Sequence, residues 1–218
     1  MTRKAIFISV AGILLLAFVM ATLIYRNYQS MLPGASAAGN QDVYERQGAP
    51  LKGPADAKVT IVEFFDPACG TCADFYPLVK QLMDRYPGKV RVMMRYAPLH
   101  TGSDQVVKML EAAHLQGKFF PALELLFSNQ QRWVVNHVSQ PDRALGILKG
   151  MALDHDRLQA DMNGPAVSQA IAEDLQAAKT LGVQATPEFF VNGRALPEWG
   201  YEQLERLVER AVNENYQP

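Results

Sequence analysis

Cys69 and Cys72 are the only cysteines in a chain of 218 residues, and they stand where an apolar run passes into a helical pattern. The run, Lys58–Phe65 (KVTIVEFF), is short and β-branched at its start, the composition of a buried strand. Beyond the cysteines, Phe75, Leu78, Val79 and Leu82 recur at helical spacing on one face. Lys89–Tyr96 (KVRVMMRY) then reads as a second strand after a Pro87-Gly88 turn. Strand, helix and strand within about 40 residues form a βαβ unit, whose two strands run parallel. Any fold for this chain must therefore hold both cysteines at the amino terminus of the crossover helix.

From Ser103 to Gly182 the pattern predicts helices throughout, with Leu115, Phe119, Leu123 and Leu126 among the apolar positions. Asn163-Gly164-Pro165 opens the last of these helices and Gly182 closes it as a C′ glycine. Glu188–Asn192 (EFFVN) predicts a strand, Asn192-Gly193 a hairpin turn and Arg194–Leu196 its partner. Tyr201–Tyr216 predicts a final amphipathic helix carrying Leu204, Leu207, Val208, Ala211 and Val212. The fold class is α/β, a βαβ unit and a hairpin with a helical block of about 103–182 inserted between them.

Two cysteines at this spacing can be a redox couple, half of a metal site or a structural disulfide. A helix amino terminus offers free N–H groups and the positive end of the helix dipole, both of which stabilise a thiolate. Cysteines so placed titrate as low as about 3.5–7.5. The first sulfur then serves as nucleophile and as leaving group, and the second, one turn along, can resolve a mixed disulfide. A soft metal such as Cu(I) would also take the pair. Against that stands the lack of a nearby second C-x-x-C or methionine-rich loop; Met93 and Met94 fall within a strand.

The first strand, Glu63, Cys69-Gly70-Thr71-Cys72, Pro77 and Thr186-Pro187 together resemble the thioredoxin superfamily, and the helical block resembles its DsbA-like branch of exported thiol:disulfide oxidoreductases. The likeness covers roughly residues 50–215. It implies a thioredoxin-like fold and an enzyme that needs no cofactor or metal beyond a redox-active Cys69–Cys72 disulfide. It implies that Cys69 is the attacked sulfur, Cys72 the resolving one and Glu63 a buried proton carrier. It further implies that Thr186 and a cis Pro187, with Gly70 and Thr71, bind the substrate peptide, and that Pro77 kinks the first helix. The partners implied are exported proteins with thiols or disulfides and a membrane redox partner that resets the couple. Two departures stand out: Ala68 where a bulky aromatic is frequent, and Gly70-Thr71 with no cation between the cysteines. With Asp66 and Asp74 close in sequence, these changes should raise the Cys69 thiol relative to the strongest oxidants of the branch, and Glu188, directly after the cis proline the resemblance implies, adds another negative charge near the groove. Oxidation of exported thiols leads; a dedicated reductant for one exported target and a Cu(I) carrier are the alternatives.

Of the four histidines, His100 follows the second strand and reads as an exposed loop residue, while His114, His137 and His155 read as surface or capping positions. Phe119, Phe120 and Trp133 read as core, although part of the helical block should overhang the cysteines.

The amino terminus bears on location. Ala5 to Tyr25 is a stretch of 21 residues without a charge, enough as a helix to span a bilayer. Arg3 and Lys4 precede it, so the positive-inside rule keeps the amino terminus in the cytoplasm and exports the chain beyond Arg26. Residues 1–29 are thus expected to be a transmembrane signal anchor in a cell inner membrane, with the domain on the periplasmic or extracellular side. A cleaved signal peptide is the rival, since Ala35-Ser36-Ala37 resembles a cleavage site. The length of the apolar run argues against it. Residues 30–41 (SMLPGASAAGNQ) read as a flexible tether, and 42–218 as one domain. That domain holds all 22 acidic residues and 18 of the 21 basic ones, a balance that excludes nucleic acid and a polybasic membrane patch.

Overall fold

The computed structural model describes residues 41–216 together with positions 18, 20 and 22. The chain divides into two compact units, Met1–Gly39 and Asn40–Pro218. In the first, Phe18, Met20 and Thr22 are helical. The remainder of the expected 5–25 span and residues 30–40 of the expected 30–41 tether lie outside the described residues. Among the described residues no helix is long and apolar enough to cross a membrane.

The second unit begins with a short helix, α1 (Gln41–Tyr44), and an edge strand, β1 (Leu51–Lys52). The expected βαβ unit comes next as β2 (Val59–Phe65), α2 (Gly70–Arg85) and β3 (Val90–Tyr96). β2 and β3 pair in parallel, from Val59 opposite Val90 to Phe65 opposite Tyr96. β6 (Glu188–Val191) pairs antiparallel with β2, and β7 (Arg194–Ala195) pairs with β6. The five-stranded order is β1-β3-β2-β6-β7, which puts β2 at the centre and buries all seven of its residues. Asn192 and Gly193 turn the β6–β7 hairpin with φ of 48° and 77°, the doubly left-handed geometry a two-residue hairpin requires.

The helical block comprises α3 (Ser103–His114), α4 (Phe119–Ser128), α5 (Gln130–Trp133), α6 (Pro141–Leu148), α7 (His155–Met162) and α8 (Pro165–Leu181). Gly164 and Pro165 open α8, and Gly182 closes it at φ 72°. The block is not helical throughout, contrary to the expectation for 103–182. A small hairpin of β4 (Val134–Val135) and β5 (Val138–Ser139) interrupts it. Its turn uses Asn136 and His137 at φ 51° and 64°, left-handed values that the sequence does not advertise with a glycine. The chain ends its described course in α9 (Tyr201–Asn215).

Alternation along β2 decides what each face meets. Val59, Ile61 and Phe65 share an apolar cluster with Phe75, Leu78, Val79 and Leu82 of α2 and with Leu204, Leu207 and Val208 of α9. Leu110, Leu123, Leu126 and Trp133 of the helical block extend the same cluster. Val62 and Phe64 face the other way, onto Ala177 and Ala178 of α8. Each fully buried Leu, Val or Phe contributes about 1.5–3 kcal/mol relative to exposure, so this two-sided burial fixes the register of β2. By the same alternation Glu63 points with Ile61 and Phe65, into the apolar side that also holds Cys72.

Candidate active site

The carboxyl end of β2 hands the chain to α2 through Asp66–Cys69. Cys69 is the N-cap of α2, with extended backbone at φ −74° and ψ 119°. Both cysteines are present as free thiols. Cys69 is 7% exposed and Cys72 fully buried, so the two sulfurs differ in access as well as in setting. Gly70 is exposed and Thr71 half-buried, which leaves the turn between the cysteines open on its outer edge.

The electrostatics are opposite for the two. The Cys69 thiol is held down to about 5, chiefly by the Cys72 S–H donating to it. The Thr186 side chain and the backbone N–H groups of Cys72 and Thr71 add to this, against the opposing pull of burial. Cys72 is pushed well above the ordinary thiol range, first by burial and then by its bond to Cys69 and the nearby Glu63 charge. A backbone N–H of Asp66 offsets a little of that. One sulfur is thus an anion at neutral pH and the other a neutral thiol.

Thr186-Pro187 lies against this pair, and its peptide bond is cis, as expected. The Cys69 Sγ is 3.2 Å from the Thr186 carbonyl oxygen, to which its protonated form donates. Pro187 is buried and Glu188, next along, is half-buried with its carboxyl raised by that burial. Glu63 is 0% exposed, and neither carboxyl oxygen has a hydrogen-bond partner. Burial, reinforced by the Cys69 thiolate, raises its carboxyl to about 8. The structure therefore brings Cys69, Cys72, Glu63, Thr186 and Pro187 together, with Gly70 and Thr71 on the open edge. Pro77 sits inside α2, where its missing N–H leaves the Ala73 carbonyl without its usual partner.

Three further residues shape the site. Asp66 is fully buried. Its Oδ1 accepts from Ala68 N at 2.8 Å, and its Oδ2 accepts from the backbone N–H groups of Leu99 and His100, each at 2.7 Å. The same oxygen takes Ser103 Oγ at 3.0 Å and His100 Nδ1 at 2.8 Å. A carboxylate only accepts, so His100 presents Nδ1–H to it. His100 is therefore not the exposed loop residue expected: its side chain is 23% exposed and pinned beside the turn, its ring centroid 6.3 Å from that of exposed His137. Gln130, from the helical block, reaches over the turn and donates to the carbonyls of Pro67 and Cys69, each at 3.0 Å. The overhang expected from the helical block is made by this side chain. Phe119 and Trp133 are core, Phe120 packs at its edge, and the Trp133 indole donates to the Leu126 carbonyl.

A family model described as thioredoxin matches residues 45–210. Among solved structures, a thioredoxin-like oxidoreductase from Silicibacter pomeroyi DSS-3 is similar with a TM-score of 0.68 and 32% identity, covering 79% of this chain and 97% of that one. The oxidoreductase DsbA from Xylella fastidiosa shares the fold with a TM-score of 0.64 at 24% identity, covering 74% and 88%. A curated relative, the Na(+)/H(+) antiporter NhaA of Herminiimonas arsenicoxydans, is 34% identical over 146 residues, which are 67% of this chain and 22% of the antiporter. The chain spans about a fifth of the length of the curated relatives it matches.

Proposed function

Because the chain belongs to the thioredoxin family, we propose that it is a DsbA-like thiol–disulfide oxidoreductase that oxidises the thiols of exported proteins with its Cys69–Cys72 disulfide, from a membrane tether formed by residues 5–25. The observation that carries the oxidative reading is the Cys69 thiol held down to about 5 at the N-cap of α2. A stabilised thiolate favours the dithiol over the disulfide, and so makes the disulfide an oxidant. The uncharged Ala5–Tyr25 stretch with Arg3 and Lys4 before it supports the tether and the export.

In this reading a substrate thiolate attacks Cys69 Sγ of the disulfide. The Cys69–Cys72 bond breaks, and Cys72 leaves as a thiolate. Glu63, a neutral acid at pH 7 with its carboxyl raised to about 8, supplies the proton that Cys72 needs in its buried setting. A second substrate thiolate then attacks the mixed disulfide at the substrate sulfur. The substrate disulfide forms, and Cys69 departs as the stabilised anion. The protein is left as a dithiol with two electrons more, and a membrane redox partner must take them. Thr186, Pro187, Gly70 and Thr71 border the approach to Cys69 and would hold the substrate segment there.

The test is the equilibrium of the couple against glutathione buffers. The oxidase reading expects a potential well above the roughly −300 mV below which structural disulfides lie, toward the oxidising end of the family range. A thioredoxin-like value near −270 mV would instead assign a dedicated reductant, and a bond that glutathione cannot reduce would assign a structural disulfide. Retention of one equivalent of copper by the reduced protein, without turnover, would assign a metal carrier.

A further inference from the structure

We propose that Gln130 is a positioning residue for the dithiol: its amide, carried in from the helical block, holds the Pro67–Cys69 turn against the amino terminus of α2. The inference rests on the redox reading of the site and deepens it. Gln130 lies on α5, outside the βαβ unit, yet its Nε2 donates to both Pro67 O and Cys69 O at 3.0 Å. Those two carbonyls flank Ala68, the residue before the cap. The Cys69 carbonyl is also the first acceptor of α2, taking Ala73 N–H at 3.3 Å. One amide group thus fixes the Pro67–Ala68 and Cys69–Gly70 peptide planes, the second of them the start of the helix. That start also carries the N–H groups of Thr71 and Cys72 that reach the Cys69 sulfur.

The geometry favours an electrostatic role over space filling. The amide presents its donor end, and not its carbonyl, to the turn that carries the thiolate. Its Oε1 is turned toward Gly70, 3.9 Å from where a Cβ on that residue would stand. The backbone on the far side of the turn is already secured, because Cys69 N donates to Asp66 O at 3.0 Å and Asp66 is held by the 99–103 loop. Gln130 secures the side that faces the helical block. A shift of that block is therefore transmitted to Cys69 through two hydrogen bonds.

The experiment uses the full chain with Gln130→Leu, which keeps bulk and removes the donors. Gln131→Leu, one residue on and exposed, serves as the control. Cys69 ionisation is tracked by thiolate absorbance of the reduced protein with the oxidised protein as blank, and the glutathione equilibrium is measured in parallel. The expected result for Gln130→Leu is a drop of about tenfold in the acid dissociation constant of Cys69. A matching shift of about tenfold toward the disulfide should appear in the glutathione equilibrium. Gln131→Leu should match the parent in both. A folded Gln130→Leu protein within twofold of the parent in both quantities overturns the inference and leaves the redox reading intact. A parent whose Cys69 titrates as an ordinary thiol overturns both. If the leucine variant does not fold, Gln130→Ala carries the same comparison.

Discussion

A carboxyl group with no hydrogen-bond partner, at the centre of a strand with no exposed residue, is a costly thing to keep. Glu63 has its ordinary value in the unfolded chain and is raised to about 8 in the fold. Between those values the folded protein binds a proton that the unfolded chain has lost, so stability falls as pH rises through that interval and levels off above it. Replacing Glu63 with Gln should flatten that fall, raising stability at pH 8 by about 3–5 kcal/mol at most. Denaturant unfolding of the reduced protein at several pH values checks this. The same variant should slow the release of mixed disulfides that depends on Cys72; unchanged rates across the pH range would remove Glu63 from the chemistry. Cys69 works in the opposite sense. Its folded value is depressed to about 5, so its contribution is present in full above the ordinary thiol range and is lost as pH falls through 5. That contribution belongs to the reduced form alone, so the stability gained on reduction should grow between pH 5 and the ordinary thiol range. Glu63 was legible in the sequence because an acid inside VTIVEFF contradicts its surroundings. Asp66 was not, because an acid after a strand looks like any loop residue; its burial comes from donors 33 to 37 residues away. Asp66→Asn would turn an acceptor of five donors into a group with one acceptor oxygen. It should cost about 1–3 kcal/mol and loosen the cysteine turn, measurable as lower thermal stability with faster alkylation of Cys69.

At the level of elements, those with strong periodicity or distinct end signals emerge where the sequence predicts them. The βαβ unit, α8 between Gly164 and Gly182, the Asn192-Gly193 hairpin and α9 all obey local rules. The β1 edge and the β4–β5 hairpin do not. Each strand is two residues long, too short for a period, and Asn136-His137 turns the hairpin without a glycine. The anchor of α8 on the sheet was equally hidden. Asp174 reads as surface charge in the run AEDLQ, yet it is fully buried. Its carboxylate accepts from Arg46 Nε at 2.8 Å, from Tyr96 N at 2.9 Å and from Arg95 Nε. Nearby Tyr96 donates to Glu111 at 2.7 Å, extending the network into α3. Asp174→Ala leaves buried Arg95 without its counter-charge and Arg46 with only Glu111, 3.8 Å away, and should cost about 3–5 kcal/mol. Thermal or denaturant unfolding checks it; a loss below about 1 kcal/mol would mean that the arginines find other partners.

For the whole molecule, location and chemistry are separate claims with separate tests. If residues 5–25 stay attached, protease added after permeabilising the outer barrier should release a soluble domain by cutting near residues 30–41. Terminal sequencing that finds a mature protein beginning after Ala37 would refute the anchor. The inequality of the two sulfurs predicts the captures made by the released domain. With Cys72→Ala, mixed disulfides with cellular partners should accumulate on Cys69; with Cys69→Ala, the buried Cys72 should trap few. The far pole of the sheet sets a different kind of opportunity. The Tyr216 hydroxyl accepts from Lys58 N at 2.7 Å and donates to Lys89 O at 3.3 Å, while both lysine ammonium groups sit over its ring. This fastens the end of α9 to the amino ends of β2 and β3, about 20 Å along the strands from the cysteines. A fluorophore, affinity handle or surface attachment placed beyond Tyr216 thus leaves the molecule from the side opposite its thiols, so an immobilised enzyme should keep its sulfurs facing the solution.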